Sequence, residues 1–346
     1  MIRMLTRLTV TLVVVCGAGA ILAPTAGADG VRPSNFESVI DSVEPSPPGV
    51  QVDVVGGASF FPVTAAPGTK VEIQGYDGEP YLRIDADGKV QENRRSAAAY
   101  LNVRRNGDVS RMPADVSSDA TPEWTTIATD GRVAWHDHRI HWMAAEPPKI
   151  PAGGVVQEWI VPMTVDSTAV VVSGRLLHHQ NVFPWAAILM VAVAVASWWV
   201  SRRHRLRAPL LLAASLVAFG LAIAVHVRNP PGAQASPLPM ILPVVAAVAA
   251  LAALAVPKLP SMVRDLVLPL LSVAALAGWA ITRVGVWWMP MDPIAVPGWL
   301  DRIGTAAVVG VILGVTVAIL LRPTPDAAPS SRSSPPPVID GDVAPT

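Results

Sequence analysis

The hydrophobic and polar positions follow a strand-like pattern in the middle of the chain, from residue 49 to residue 180. Short runs rich in β-branched and aromatic residues alternate there with turn signals such as Asp77-Gly78 and Asn106-Gly107. Seven or eight strands spaced in this way are typical of an all-β domain, an antiparallel Ig-like sandwich. The predicted strands are residues 50–55, 70–74, 81–85, 99–103, 124–128, 132–143, 155–165 and 169–177.

The pattern changes after residue 180, where long apolar runs replace the short strands. Each run is long enough to cross a bilayer as an α-helix, which needs about 20 residues. Together they predict an all-α, five-helix transmembrane bundle. Gly310 and Gly314 form a small-residue face that we expect to pack within the bundle, against the alanine-rich third helix. The five predicted spans are about residues 182–200, 208–227, 238–256, 266–285 and 303–321.

The remaining segments are predicted from their composition. Residues 1–28 resemble a cleaved signal peptide, because Arg3 and Arg7 precede an apolar run that ends at the small residues Ala26-Gly27-Ala28. Residues 29–48 are polar and contain prolines, which predicts an extended lead-in. Residues 322–346 are rich in proline, serine and alanine, which predicts a disordered cytoplasmic tail.

The composition is typical of a membrane protein, and the charge argues against a nucleic-acid partner. The chain is 51% hydrophobic and 15% charged, and its net charge of zero gives no reason to expect nucleic-acid binding. Arginines are concentrated in residues 201–207, which places that connection and the C-terminus in the cytoplasm and the β-domain outside. The single cysteine, Cys16, lies in the predicted signal peptide, so we expect no disulfide in the outer domain.

One segment of the β-domain, residues 135–143, contains three of the seven histidines of the chain. We predict it to be the second half of a strand, in which successive side chains point to opposite faces. This geometry would place His136, His138, Ile140 and Trp142 on one face, and Trp135, Asp137, Arg139, His141 and Met143 on the other.

Three interpretations of residues 135–143 stay open. The polar side chains form an interior network that stabilises the domain, or they form a contact surface for a protein or glycan. Alternatively, His136 and His138 offer two imidazoles to one copper or zinc ion. The sequence identifies no third ligand, so no cofactor is assigned and copper or zinc remains an alternative.

A second polar group lies in residues 75–84, where a turn leads into a strand. We expect Tyr76, Glu79 and Tyr81 to pair with the side of the histidine segment that carries Arg139 or His141, because buried polar groups need hydrogen-bond partners. A structural role for Glu79 is favoured over a catalytic one.

A third group gathers at the predicted outer membrane surface. We expect these residues to anchor the interface and to dock the β-domain, with a Cu(I) site as the alternative, since thioether and imidazole ligands suit that ion. The group comprises His178 and His179 before the first helix, His226 and Arg228 at the end of the second, and, around the last outer loop, Arg283, Trp287, Trp288, Met289, Met291, Asp292, Trp299, Asp301 and Arg302.

Several of these segments together resemble a family of uncharacterised actinobacterial membrane proteins. The segments are residues 47–50 (PPGV), 75–84 (GYDGEPYLRI), 100–102 (YLN) and 135–143 (WHDHRIHWM). The resemblance implies a signal peptide, a β-rich outer domain and several C-terminal helices. It implies no catalytic residue.

We therefore expect a non-enzymatic, membrane-anchored protein of the cell envelope, with an outer domain that binds or assembles with a protein or cell-wall component. A copper- or zinc-handling protein that uses His136 and His138 is the first alternative. A membrane-bound enzyme with Glu79, His136 or His141 as an acid or base is the second, although no nucleophile motif supports it. The expected ligand or partner surface comprises Glu79, Tyr81, His136, Asp137, His138, Arg139, His141 and Trp142.

Overall fold

The computed structural model describes residues 30–321, except 104–106, 108, 145, 147, 232, 234 and 257. The signal peptide predicted for residues 1–28 and the tail predicted for residues 322–346 lie outside the described residues.

The first half of the described chain is a β-region of antiparallel strands, which confirms the coarse prediction for this part. Within the described residues it has ten strands and one short helix. In chain order these are β1 (Phe36–Glu44), β2 (Val50–Val52), β3 (Phe61–Ala65), β4 (Val71–Gln74), β5 (Pro80–Ile84), β6 (Val90–Asn93), helix α1 (Ala98–Leu101), β7 (Trp124–Ala128), β8 (Arg132–Trp135), β9 (Val155–Val165) and β10 (Thr168–His178).

The strands form two sheets around one hydrophobic core. The larger sheet has seven strands in the order β1-β10-β9-β4-β5-β6-β7, and the smaller has the order β2-β3-β8. Burial alternates along β9, where Trp159, Val161, Met163 and Val165 are buried, as expected for a sheet with one face on the core. Phe61 of the smaller sheet belongs to the same buried cluster.

Two elements differ from the prediction for local reasons. The segment predicted as an extended lead-in contains β1, an edge strand paired with β10, and its single buried side chain, Ser38, explains why no apolar alternation shows. The predicted strand 99–103 is instead helix α1. Three consecutive alanines favour a helix there, and the Ser96 hydroxyl accepts a hydrogen bond from the Ala98 N–H at 3.2 Å.

The second half of the described chain is helical. Four of its helical segments are long and apolar enough to cross a membrane, namely His204–His226, Leu238–Ala255, Val263–Ile281 and Gly298–Leu320. A fifth apolar helix is shorter than its predicted span and would measure about 24 Å. The α-helices are α2 (Ala186–Ser201), α3 (Arg207–His226), α4 (Leu238–Ala255), α5 (Leu268–Ile281, after the π-helical turn Val263–Val267) and α6 (Gly298–Leu320).

The small-residue face of α6 packs inside the helical region, but on a different helix from the one we predicted. A side chain at Gly310 would meet Val193 of α2 at 2.7 Å, and one at Gly314 would meet Ser197 of α2 at 2.6 Å. The expectation of contact with the alanine-rich helix α4 is therefore wrong for this face. Glycine on α6 lets its backbone come close to that of α2, and this contact holds the short helix α2.

The β-region and the helices meet along the segment after α5. Ser34 and Met291 form an isolated antiparallel bridge, with hydrogen bonds of 3.0 and 3.1 Å between their backbones. The Val182 N–H donates to the Trp288 carbonyl at 2.7 Å, close to the start of α2. The residues that precede β1 and those that follow β10 are thus hydrogen-bonded to the same loop of the helical region, the one after α5.

The contact at Gly314 leads to a stability prediction. Gly314→Ala should lower the apparent melting temperature of the full chain in detergent, because the added methyl group would overlap α2, and overpacking costs about 1–3 kcal/mol. Gly220→Ala is the matched control, since a Cβ at this helical glycine meets no atom within 4 Å. Equal melting temperatures for the two variants would contradict the α2–α6 contact.

Candidate functional site

The histidine segment forms a loop after β8, and the predicted strand 132–143 is too long. Strand β8 ends at Trp135, and the chain then turns around Asp137. The Asp137 carboxylate accepts the Arg139 N–H at 2.9 Å, and its backbone carbonyl accepts the Ile140 N–H at 3.1 Å. An aspartate that bonds the backbone two residues later favours a turn over a strand. The predicted division of this segment into two strand faces is therefore wrong.

The centre of the loop is a buried ion pair between Asp137 and Arg139. Asp137 is completely buried, and the Arg139 side chain is only 18% exposed. Arg139 donates from Nε to Oδ1 at 2.8 Å and from Nη2 to Oδ2 at 2.6 Å, in the forked geometry of a strong arginine–carboxylate pair. The Trp135 indole N–H donates to Oδ2 at 2.9 Å. Both oxygens of the carboxylate are thus occupied.

Neighbouring strands complete the surroundings of Arg139. Its guanidinium lies 5.2 Å from the centre of the Tyr76 ring and near the Gln74 carbonyl at 3.4 Å. The Gln157 side chain, from β9, donates to the Arg139 carbonyl at 2.7 Å. Burial lowers the pKa of Arg139, but the hydrogen bonds and charge of Asp137 outweigh it and raise the pKa. The guanidinium is therefore held in its charged form.

Tyr76 links the loop to helix α1. Its hydroxyl donates to the Asn102 side chain and accepts the His138 N–H at 2.9 Å. Its ring stacks with the His138 ring, with 5.8 Å between the centres. Burial, followed by the negative charge of Asp137, raises the pKa of Tyr76 well above its ordinary value, so the hydroxyl stays protonated. The pairing of Tyr76 with this side of the loop was expected, although Tyr76 was not included in the predicted partner surface. Asn102 was not singled out as a site residue, although it lies in a segment that carries the family resemblance.

The three histidines fall into two groups, His136 on one side and His138 with His141 on the other. His136 is 5% exposed, stacks on Phe60 with 4.1 Å between ring centres, and hydrogen-bonds the Ser59 carbonyl through Nδ1. His141 is completely buried, and its Nδ1 is 3.0 Å from the Asp137 carbonyl oxygen. The His138 and His141 rings are in edge contact at 5.2 Å. The structure therefore pairs His138 with His141, whereas the sequence pattern paired it with His136.

The same geometry bears on the metal alternative. Within the described residues, no group of three or more His, Cys, Asp or Glu side chains is arranged to hold a metal ion. His136 and His138 do not lie on one strand, because β8 ends before them. A copper or zinc site at these two residues stays a prediction without a third ligand.

Glu79 and Tyr81 lie beside this network but serve different contacts. Glu79 is 4% exposed; its carboxylate accepts the Asp77 N–H at 3.0 Å and the Ser96 hydroxyl. Tyr81 is 2% exposed and makes an edge contact with Trp135 at 6.1 Å. Burial raises the pKa of Tyr81 well above its ordinary value. Of the three residues expected to reach Arg139 or His141, Tyr76 does so, whereas Glu79 closes its own turn.

Trp142 is at the edge of the loop and is partly exposed. Its indole N–H donates to the Glu146 carbonyl at 2.7 Å, and its ring lies 6.4 Å from that of Phe36 in β1. Met143, next to it, is 41% exposed. The outer side of the loop at Trp142 and Met143 is therefore apolar, while the buried Asp137 and its partner Arg139 face the interior.

A second buried polar cluster lies where the helices meet the β-region. Arg283 pairs with Asp301 of α6, and its Nη2 is 3.8 Å from an oxygen of Asp292. Arg302 donates to the carbonyls of Val286 and Met289 at 3.1 and 2.9 Å. These charged residues were predicted to surround the outer loop, and the structure brings them together directly behind the Ser34–Met291 bridge.

Asp292 has unusual surroundings in this cluster. Its side chain is 3% exposed, and within the described residues neither carboxylate oxygen has a hydrogen-bond donor. Burial raises the pKa of Asp292 to about 7, and the negative charge of Asp301 adds to the rise, while Arg283 and Arg302 oppose it. A protonated Asp292 can donate a hydrogen bond towards the Asp301 carboxylate. The charged residues of neighbouring segments, Arg32 and His226, are exposed.

Comparisons with protein-family models, with curated proteins and with solved structures found no match to the chain. The resemblance to actinobacterial membrane proteins stays a prediction, and the chemistry of the site has to be judged from its geometry. That geometry is one of internally paired groups. The arrangement fixes the shape of a loop and presents an apolar rim.

The first prediction from the site compares two aspartate–arginine pairs with the same spacing. Asp137→Asn should lower the stability of the full chain by about 3–5 kcal/mol, because it leaves the buried Arg139 guanidinium without its counter-charge. Asp130→Asn is the matched control: Asp130 pairs with Arg132 at 2.9 Å, but both side chains are exposed, so the loss should be below about 1 kcal/mol. Thermal melting in detergent measures the stability of both variants. Similar losses of stability in Asp137→Asn and Asp130→Asn would contradict a central role for Asp137.

The second prediction concerns pH. The pKa of Asp292 is higher in the folded protein than its ordinary value of 3.8, so the folded state binds the proton more tightly. Stability should therefore fall as the pH rises from about 4 to about 7, by at most about 1.4 kcal/mol per pH unit. Asp292→Asn should reduce this slope and melt above the wild type at about pH 8.

The exposed Asp119→Asn is the control for this experiment and should keep the wild-type slope. An unchanged slope in Asp292→Asn would show that Asp292 does not bind the proton.

Proposed function

We propose that the protein is a membrane-anchored binding or assembly protein of the cell envelope and not an enzyme. Its β-region, an Ig-like sandwich, is displayed on the outer side of the cytoplasmic membrane, and the C-terminus is cytoplasmic. Its partner is another envelope protein or a cell-wall component. The observation that carries the proposal is that the charged groups of residues 135–143 are paired internally, while the outer side of the same loop is apolar.

The apolar rim supports a binding surface. A Cβ atom at Gly107 would lie 3.2 Å from the His138 side chain, so Gly107 lies against the histidine loop. Val103 and Val109, which flank Gly107 in the sequence, are 52% and 65% exposed, and Met143 of the histidine loop is 41% exposed. Exposed apolar side chains on a rigid support are suited to contact with a partner.

A five-helix anchor is part of the proposal. Helix α2 is short, but it packs against α6 at Gly310 and Gly314. Helix α6 is itself long and apolar enough to cross a membrane, so α2 lies beside a membrane-spanning helix in the proposed anchor. The exposed aromatic residues Phe183 and Trp185 precede α2 and extend its apolar surface. The arginines of residues 201–207, at the other end of α2, support the cytoplasmic side for that connection.

The contacts favour this role over the two alternatives. Glu79, His136 and His141 are buried and hydrogen-bonded to backbone or side-chain groups, which suits a fixed scaffold better than acid or base catalysis. No observation favours metal handling over the structural network. A substitution in a binding surface is expected to abolish binding of a specific partner while leaving the fold intact.

Sidedness can be tested with two single cysteines in a Cys16→Ser background. Asp87→Cys, in the exposed turn between β5 and β6, should react with a membrane-impermeant maleimide in intact cells. Arg205→Cys should react only after the cells are permeabilised. The reverse pattern would contradict the proposed topology.

The binding surface can be tested with a photo-crosslinking residue at Met143 in intact cells. A single defined adduct with an envelope component is expected there. Ile160 is the control position, since it is 59% exposed on β9 and lies outside residues 103–109 and 135–143. The proposal fails if position 160 gives the same adduct, or if position 143 gives none.

A further inference from the structure

A cavity lies at the end of α2 that faces away from the β-region. It has a volume of about 270 Å³ and is lined by Trp199, Val200, Arg202, Arg203 and Leu206. At about 30 Å³ per water molecule, this space would hold about nine waters. It therefore has room for a small polar group, and two arginines and three apolar residues line it. The Arg202 guanidinium lies 5.9 Å from the centre of the Trp198 ring.

The wall of the cavity is held in place by a buried arginine. Arg207 is 2% exposed and lies at the start of α3. Its guanidinium donates to the carbonyls of Ser201, Ala318 and Asp265, at 3.0, 3.2 and 3.3 Å. A cation at the C-terminal ends of α2 and α6 is favourable, because carbonyl groups there lack partners within the helix. The short connection between α2 and α3 is thus fixed.

The two connections at this end of the helical region carry an excess of positive charge, and two of their arginines line the cavity. The connections 201–207 and 256–266 contain six cationic side chains and a single carboxylate, Asp265. Asp265 is already paired with Arg264 at 3.0 Å. Arg202 and Arg203 are exposed, and no ion pair within the described residues engages either of them. The cations are Arg202, Arg203, Arg205, Arg207, Lys258 and Arg264.

An apolar stripe runs along α2 towards the same cavity. Ile188, Val191, Val195 and Trp199 recur at helical spacing and are each more than half exposed. From the first to the last, the stripe is about 16 Å long. An anionic group in the cavity could therefore continue into an acyl chain along the helix.

We propose that this cavity binds the phosphodiester headgroup of an anionic phospholipid, with Arg202 and Arg203 on the phosphate and an acyl chain along the α2 stripe. Guanidinium groups match phosphate oxygens in charge and in geometry. Basic pockets beside membrane helices are suited to anionic headgroups. The proposal is independent of what the β-region binds.

The test uses the full chain purified in a neutral detergent, with lipid binding followed by native mass spectrometry and by thermal shift. Phosphatidylglycerol is the probe, and phosphatidylcholine, which has no net charge, is the comparison. We expect one tightly bound phosphatidylglycerol per chain and a higher melting temperature with this lipid alone. Equal binding of both lipids would overturn the proposal.

Single variants locate the site. Arg202→Gln and Arg203→Gln should each weaken phosphatidylglycerol binding by about fivefold. Arg205→Gln removes the same charge from the same connection, but Arg205 does not line the cavity, so this variant should change binding less than twofold. Equal effects of all three variants would indicate a general charge effect and would also overturn the proposal.

Two further measurements keep the test decisive. Inorganic phosphate and glycerol 3-phosphate separate a lipid site from a free-phosphate site, because a thermal shift equal to that of the lipid would show that no acyl chain is needed. Val195→Ser, on the stripe but outside the lining of the cavity, should weaken lipid binding and leave the response to phosphate unchanged. Melting of each variant without lipid checks that the fold is intact.

Discussion

The β-region depends on one buried interaction, the ion pair between Asp137 and Arg139. Around this pair the Trp135 indole, the Gln74 carbonyl and the Gln157 side chain bring together the ends of β8, β4 and β9. A buried ion pair adds little net stability, because removing two charges from water is costly. Its value here is geometric, since few other conformations of the loop would satisfy both charges.

The histidine loop illustrates how a set of reactive side chains can serve structure. His136 packs on Phe60, His141 lies beside the Asp137 carbonyl, and both are buried. A buried polar network whose charged groups are paired gives rigidity and specificity, while groups of this kind in an open cleft would favour catalysis. In the proposed function, the part of the loop that contacts a partner is the apolar rim that includes Met143.

Charged side chains also organise both ends of the helical region. At the end near the β-region, Arg283, Asp292 and Asp301 form a buried cluster behind the bridge between Ser34 and Met291. At the opposite end, Arg207 joins the carbonyl ends of α2 and α6. Between these ends, small residues allow close packing of apolar helices, where there is little hydrophobic driving force in lipid.

The sequence by itself determined the division into a β-region and apolar helices, because alternation and long apolar runs are local properties. It could not identify β1 as an edge strand, with Ser38 its only buried side chain, nor the end of β8 at Trp135, where an aspartate turn outweighs strand propensity. Tertiary structure alone decided that Gln157 reaches the Arg139 carbonyl, that His138 lies beside His141, and that Gly314 packs on α2. The physical reason is that these contacts join residues from separate elements, and no local pattern encodes which elements become neighbours.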